Sequence, residues 1–295
     1  MSDDDSDCDE GGLFGSIGFM FDTARQKISK DFTLTIDTPL SLLEQFEDST
    51  GGVNDKTMEV TVSLYIIDDD PGHVQSGQYL WPAALSLSSH LMQNWSNIIS
   101  STPSFNMSST PPVIVELGSG VGMCGQFLGK FFVDLAKRLS SFSLPTVILT
   151  DYDPGCLEML TDNIKLNSLD SHCYSSRVEW GKELDSVYDL SRQTCGTSEV
   201  IRPFLVIGSD LLYCVSVVRP LFSSVRAMLL KSFDSKNSGS DNSGLFILAS
   251  SFDIGEDVQL EMDTCCAELG INQVEVQSLD LASDPRRYRV QYFNL

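Results

Sequence analysis

The run Val113-Ile114-Val115-Glu116-Leu117-Gly118-Ser119-Gly120-Val121-Gly122 constrains this chain more than any other segment. Its near-continuous apolar start marks a strand buried on both faces, as in a parallel sheet. Glycines follow, and then Phe127, Leu128, Phe131, Phe132 and Leu135 recur at helical spacing. Strand, glycine turn and helix in succession make a nucleotide-type cradle. Glycine lets the backbone approach a ligand, and the helix N-terminus presents unpaired N–H donors. The expected fold is α/β, a Rossmann-like sheet.

Two ligand classes fit the glycines. Gly118-x-Gly120-x-Gly122 suits S-adenosylmethionine (SAM), whereas Gly120-x-Gly122-x-x-Gly125 also matches a dinucleotide fingerprint. Glu116 favours SAM, because a carboxylate there can sit near the cationic methionine end but would repel a pyrophosphate. A second acid strengthens that choice. Thr146-Val147-Ile148-Leu149-Thr150-Asp151 reads as the next strand, and an acid at its end binds ribose hydroxyls in doubly wound sheets. The gap from the glycines exceeds the usual ~20 residues, and Arg138 to Pro145 reads as the inserted connection. Asp153, just before Pro154, suits the cap of the following helix, which leaves Asp151 for the ligand.

The net charge of −22 over 295 residues argues against a polyanionic partner, since phosphate binding needs clustered Lys and Arg. No nucleic acid is expected as a partner. The apolar fraction of 42% is ample for a folded core. Eight cysteines are scattered with no C-x-x-C pair and no His at ligand spacing, so neither a metal site nor a disulfide framework is expected. His73, His90 and His172 are isolated, which gives a His-based triad little support. No stretch approaches the ~18 apolar residues of a membrane span, and Met1-Ser2-Asp3-Asp4-Asp5 is unlike a signal peptide. A cytoplasmic monomer is the expectation.

Along the chain, residues 1–12 read as an acidic disordered tail. Residues 13–100 form an N-terminal accessory segment. Its apolar start, Leu13 to Phe21, could dock on the body or a partner. Two alternating strands (Leu34 and Ile36; Val60, Val62, Leu64 and Ile66) flank a loop at 48–56. Trp81-Pro82-Ala83-Ala84 then opens one amphipathic helix carrying Leu91, Met92, Trp95, Ile98 and Ile99. A Ser/Pro linker at 100–112 leads into the α/β region at 101–295. Strands are expected near 113–117, 147–151, 177–180, 204–209 and 245–250, with 273–279 and 288–293 as an antiparallel pair at one edge. Residues 234–244 read as a flexible insertion.

Four segments together resemble the seven-β-strand SAM-dependent methyltransferases, and within them methyltransferase family 16, the methyltransferase-like-21 type of protein-lysine methyltransferase. They are Gly77-Gln78-Tyr79-Leu80-Trp81-Pro82-Ala83-Ala84, the Glu116-to-Gly122 turn, Arg177-Val178-Glu179-Trp180-Gly181, and Gly208-Ser209-Asp210-Leu211-Leu212-Tyr213. The glycine turn is common to SAM enzymes; Trp-x-Ala-Ala, Glu-x-Trp-Gly and Asp-x-x-Tyr in series are more specific. The resemblance covers about residues 75–293. It implies a mostly parallel seven-stranded sheet, SAM as cofactor, and transfer of methyl to a lysine of a protein substrate. Relatives modify chaperones, an AAA-type ATPase and elongation factors, and the sequence does not choose among them.

The implied cofactor contacts are Trp81, Glu116, Gly118, Ser119, Gly120, Gly122, Asp151, Trp180 and Ser209, with Trp180 ending a strand where an indole can stack on adenine. Asp210 and Tyr213 are the expected catalytic pair. Asp210 would attract and orient the ammonium, and Tyr213 would form an aromatic wall with cation–π character. Each has a blander reading: Asp210 capping the next helix, Tyr213 packing, Trp180 as core, Trp81 as an anchor for its helix. Two functional alternatives stay open, a SAM enzyme acting on another side chain or a small molecule, and a catalytically silent SAM-fold scaffold. Insertions at 138–145, 190–202 and 234–244 depart from a compact family member.

Overall fold

The computed structural model describes residues 27–38, 56–67, 77–101, 111–139, 142–198, 201–230, 244–280 and 287–295. The acidic tail, Leu13 to Phe21, most of the 48–56 loop and of the 100–112 linker, and nearly all of the 234–244 insertion lie outside them.

The central strand is β3 (Val113–Leu117), buried at every position as its apolar run requires. On one side of it lie β4 (Thr146–Asp151) and β5 (Cys173–Arg177); on the other lie β6 (Leu205–Ser209) and β7 (Leu245–Ser250). All five are parallel. At the far edge β9 (Arg287–Asn294) runs antiparallel between β7 and β8 (Asn272–Asp280), giving the order β5-β4-β3-β6-β7-β9-β8. The chain winds outward from β3 in one direction and returns to wind the other way from β6. The carboxyl ends of β3 and β6 therefore flank the switch point, where open α/β sheets bind ligands.

Seven helices are described: α1 (Pro82–Gln93), α2 (Trp95–Ser101), α3 (Met123–Arg138), α4 (Pro154–Leu166), α5 (Asp185–Cys195), α6 (Val215–Leu229) and α7 (Glu256–Leu269). Asp153 caps α4, its side chain accepting the Cys156 N–H, with Pro154 in the first turn. None of the described helices is long and apolar enough to cross a membrane.

The N-terminal strands β1 (Lys27–Asp37) and β2 (Thr57–Ile67) form an antiparallel pair outside the main sheet. Alternation points Met58, Val60, Val62, Leu64 and Ile66 inward, into the same hydrophobic core as Phe127, Phe131 and Leu160. Two asparagines of α4 and its C-terminus cover the outer backbone of β2. Asn163 accepts the Tyr65 N–H at 2.6 Å and donates to the Tyr65 carbonyl at 3.1 Å. Asn167 does the same for Ser63, at 3.0 and 2.7 Å. Side-chain amides thus satisfy an edge that would otherwise present unpaired groups.

Two expectations are corrected. The helix expected from Trp81 onward is two, because α1 stops at Asn94, whose N–H bonds to the His90 carbonyl. Trp95 then starts α2 and is fully buried against Phe131, Phe132 and Phe204. The strand expected at 177–180 is β5 at Cys173–Arg177. That edge strand carries three polar residues, Ser175, Ser176 and Arg177, and so lacks the apolar run that marks the central strands. The 190–202 stretch begins within α5, whose Val187 is buried in the core.

Candidate active site

A cavity of about 580 Å³ opens over the carboxyl ends of β3, β4 and β6. Residues 77–81 form its lid on one side, the turn after β3 its floor, and Phe252, just past β7, part of its far wall.

The floor is built by close backbone approach. Gly118 and Gly120 have φ of +57° and +54°. A Cβ on Gly120 would stand 2.4 Å from the Gly77 carbonyl oxygen, so only glycine allows the 77–81 segment to lie on the turn. Ser119 locks the turn to β4: its Oγ donates to the Glu116 carbonyl at 3.1 Å and accepts the Thr150 N–H at 2.9 Å.

Asp151 ends β4 at the cavity. One carboxylate oxygen accepts the Gly120 N–H at 3.0 Å and the other accepts the Asp153 N–H at 3.0 Å. The carboxyl expected to be left for a ligand is thus also a brace for the turn. Burial raises its pKa, opposed by the backbone N–H groups that point at it.

Trp180 lies three residues beyond β5, in a loop and not at a strand end, so its placement is corrected while it still lines the cavity. Its indole lies against Gly118, where a Cβ would meet it at 3.0 Å. The next residue fixes the loop, since the Gly181 N–H donates to Ser224 of α6 at 2.8 Å.

Asp210 follows β6 with φ of +55°, a left-handed conformation that is uncommon outside glycine. Its carboxylate is buried and well bonded. It accepts the Ala83 N–H at 3.0 Å, the Ser251 N–H at 2.7 Å, and the Ser251 hydroxyl at 2.9 and 3.0 Å. Three segments therefore meet at one carboxylate: the loop after β6, the first turn of α1 and the residue after β7. Tyr213 stands at the mouth, 50% exposed.

Nine of the eleven expected site residues line this cavity: Trp81, Gly118, Ser119, Gly120, Asp151, Trp180, Ser209, Asp210 and Tyr213. Glu116 and Gly122 do not. Glu116 is 2% exposed beneath the turn and accepts the Gly125 N–H at 3.0 Å. Burial raises its pKa to about 8, against the lowering effect of that N–H. Gly122, φ +81°, is the residue before α3, and a Cβ there would strike Leu160 and Leu149. Both build the turn from below. Lining residues that the sequence did not single out include Met123, Tyr152 and Phe252, and Asp153, read as the cap of α4, lines the cavity as well. For Tyr152 and Phe252 the available signal was position, each falling just beyond the carboxyl end of a parallel strand.

The lining carries four carboxylates, Asp151, Asp153, Glu179 and Asp210, and among the described residues no Lys, Arg or His. Such a site repels phosphates and suits a ligand with positive charge. A cradle that admits backbone approach, an indole face and a terminal carboxylate beside it fit an adenosyl group joined to a cationic tail. The volume lies within the ~300–1,000 Å³ typical of small-molecule sites.

Solved structures similar to this chain include the precorrin-6y C5,15-methyltransferase of Geobacter metallireducens GS-15, at 13% identity and TM-score 0.40, covering 68% of this chain and 86% of that one. The human methyltransferase 10 domain containing protein shares 12% identity with a TM-score of 0.45, covering 78% and 89%. The N-terminal domain of human METTL16, in complex with SAH, shares 12% with a TM-score of 0.46, covering 78% and 75%. None of the curated proteins compared matches the chain. The sequence model described as lysine methyltransferase matches residues 61–234, more than half of the chain, and the protein belongs to that family of SAM-dependent methyltransferases.

Proposed function

We propose that the protein is a protein-lysine N-methyltransferase using SAM. The observation that carries this reading is the charge of the cavity: four carboxylates, aromatic walls and, among the described residues, no lining cation. A cationic donor and a cationic acceptor both favour such a site over any anionic substrate.

Bound SAM supplies a methyl group on a positively charged sulfur. Gly118 and Gly120 would hold it through close backbone approach, Asp151 through ribose hydroxyls, and Trp180 through the face of adenine. Trp81 and Ser209 complete the wall.

The remaining chemistry belongs to the acceptor. A free lysine has a pKa of about 10.4 and arrives as an ammonium, whose nitrogen has no lone pair to offer. The negative field of Asp210 and Glu179 draws it inward. Asp210 is already accepting hydrogen bonds from Ala83 and Ser251, so it is fixed in place and acts through its charge. Tyr213, half-exposed, offers a ring face to the cation and holds the side chain in line. The mouth stays open to water beside Tyr213 and Tyr152, the latter 62% exposed, and the departing proton passes from the lysine Nζ to that water.

Incubation with methyl-labelled SAM and a cell lysate, followed by protein precipitation and acid hydrolysis, tests the reading. Label recovered as N-methyl-lysine is the expected result. Label recovered only in small molecules, in RNA or as methyl-histidine would overturn it.

A further inference from the structure

A second cavity, of about 390 Å³, lies next to the first, between the end of β7, the start of α7 and β9. Phe252 lines both. The partition is the segment 250–252: Ser251 donates to Asp210 on the active-site side, and Ser250 lines the second cavity.

Three carboxylates face this space, Asp253, Glu256 and Asp263, against one guanidinium. That guanidinium, Arg289, donates to the Gln259 side-chain oxygen at 3.2 Å, while the Gln259 amide donates to Asp263 at 2.7 Å. Phe252, Ile254 and Leu260 supply an apolar wall, Leu260 being 69% exposed. Ser250 is 2% exposed and its hydroxyl has no hydrogen-bond partner. A buried hydroxyl left unpaired at the edge of a cavity marks a group that a ligand can satisfy. Among the described residues no set of His, Cys, Asp or Glu converges closely enough to hold a metal ion. Spread carboxylates beside an apolar wall suit a long basic side chain instead, whose stem covers the apolar surface while its head meets the charges.

We propose that this second cavity binds the peptide flank of the substrate lysine, taking a basic side chain, arginine or lysine, beside the residue being methylated. The inference rests on the lysine reading of the neighbouring site and adds a substrate class to it: a lysine within a basic, partly apolar segment. Ser250 pairs with that segment, and Phe252 separates the flank from the target side chain.

The test uses the full chain loaded with S-adenosylhomocysteine and fluorescein-labelled peptides with one central lysine. Arginine is scanned along either side, with alanine and glutamate peptides for comparison. One arginine position should bind roughly tenfold tighter than alanine, with glutamate weakest. The triple variant D253N/E256Q/D263N should erase that difference and leave S-adenosylhomocysteine affinity unchanged. Ser250→Ala should weaken the arginine peptide several-fold without lowering the melting temperature, since it removes a hydroxyl that has no partner in the free chain. Equal binding of all three peptide types, or a preference that survives the triple variant, would overturn the inference. The same peptides with SAM separate the two readings. Methylation indifferent to the flank keeps the lysine reading and overturns the second cavity's role, whereas flank-selective binding with no methylated lysine overturns the lysine reading.

Discussion

The Asp210 carboxylate accepts the backbone N–H of Ala83 at 3.0 Å, joining the loop after β6 to the first turn of α1 across 127 positions of sequence. The same group holds Ser251 beyond β7. The Trp-x-Ala-Ala and Asp-x-x-Tyr segments, far apart in the chain, are thereby parts of one joint. Asp210→Ala should leave three donors, the Ala83 and Ser251 N–H groups and the Ser251 hydroxyl, without this acceptor and lower stability by about 1–3 kcal/mol. Asp210→Asn keeps the shape and removes the charge. It should lose less stability than the alanine variant yet lower methylation by roughly a hundredfold. Chemical denaturation and a methylation assay on both variants check this, and full activity in the asparagine variant would assign Asp210 to the joint alone.

Trp180 offers its indole beside Gly118. Stacking of a base on an aromatic ring contributes about 1–3 kcal/mol. Trp180→Ala should therefore weaken SAM binding by about tenfold or more in calorimetry, and Trp180→Phe should restore part of it. Unchanged affinity in the alanine variant would remove Trp180 from the cofactor site.

Gly120→Ala would place a methyl group 2.4 Å from the Gly77 carbonyl oxygen, on a backbone with φ of +54°. The left-handed conformation alone costs about 1–2 kcal/mol, and the clash pushes the 77–81 segment off the turn. The expected outcome is a lower melting temperature together with loss of measurable SAM binding. Gly196→Ala is a useful contrast, because its φ is +63° but nothing lies within 4 Å of the added carbon. It should lower stability slightly and leave SAM binding intact.

Glu116 links the turn to pH. Burial raises its pKa to about 8 from an ordinary 4.5, so the folded chain holds a proton that the unfolded chain releases. Its contribution is neutral below about 4.5, and stability then falls as pH rises, with the full cost present above about 8. Asp151, also raised by burial, acts in the same direction. Glu116→Gln keeps an oxygen for the Gly125 N–H and removes the charge. Without SAM present, its stability relative to the parent should grow from pH 5 to pH 8.5 by a few kcal/mol, read by urea denaturation. A difference that does not change with pH would show that folding does not raise the Glu116 pKa.

The central sheet was legible because β3, β4, β6 and β7 are short apolar runs ending at glycine, aspartate or serine, a pattern set by burial on both faces. The hairpin was legible through alternation in β2, where every second side chain from Met58 to Ile66 is buried. The edge strand β5 was misplaced because Ser175, Ser176 and Arg177 carry no such pattern, and the apolar Val178 and Trp180 drew the expectation past its end. The break between α1 and α2 was invisible to periodicity, since Leu91, Met92, Trp95 and Ile98 are all buried on either side of Asn94. At the site, the residue types were readable and their duties were not. Asp151 and Asp210 look like ligand groups in sequence, yet each also braces backbone that arrives from elsewhere, a relation set by tertiary contact alone. Phe252 offered only its position just past β7, and Ser250 gave no signal, because what distinguishes it is the second cavity.

The most direct test of the account is to incubate the chain with trideuteromethyl-SAM and a cell lysate and to locate the heavy methyl group by peptide mass spectrometry, alongside Asp210→Asn. The expected result is a heavy methyl on the Nζ of lysine in a protein of the lysate, strongly reduced in the variant. A heavy methyl found only on other side chains, on nucleic acid or on small molecules, or none at all from a chain shown to bind SAM, would contradict it.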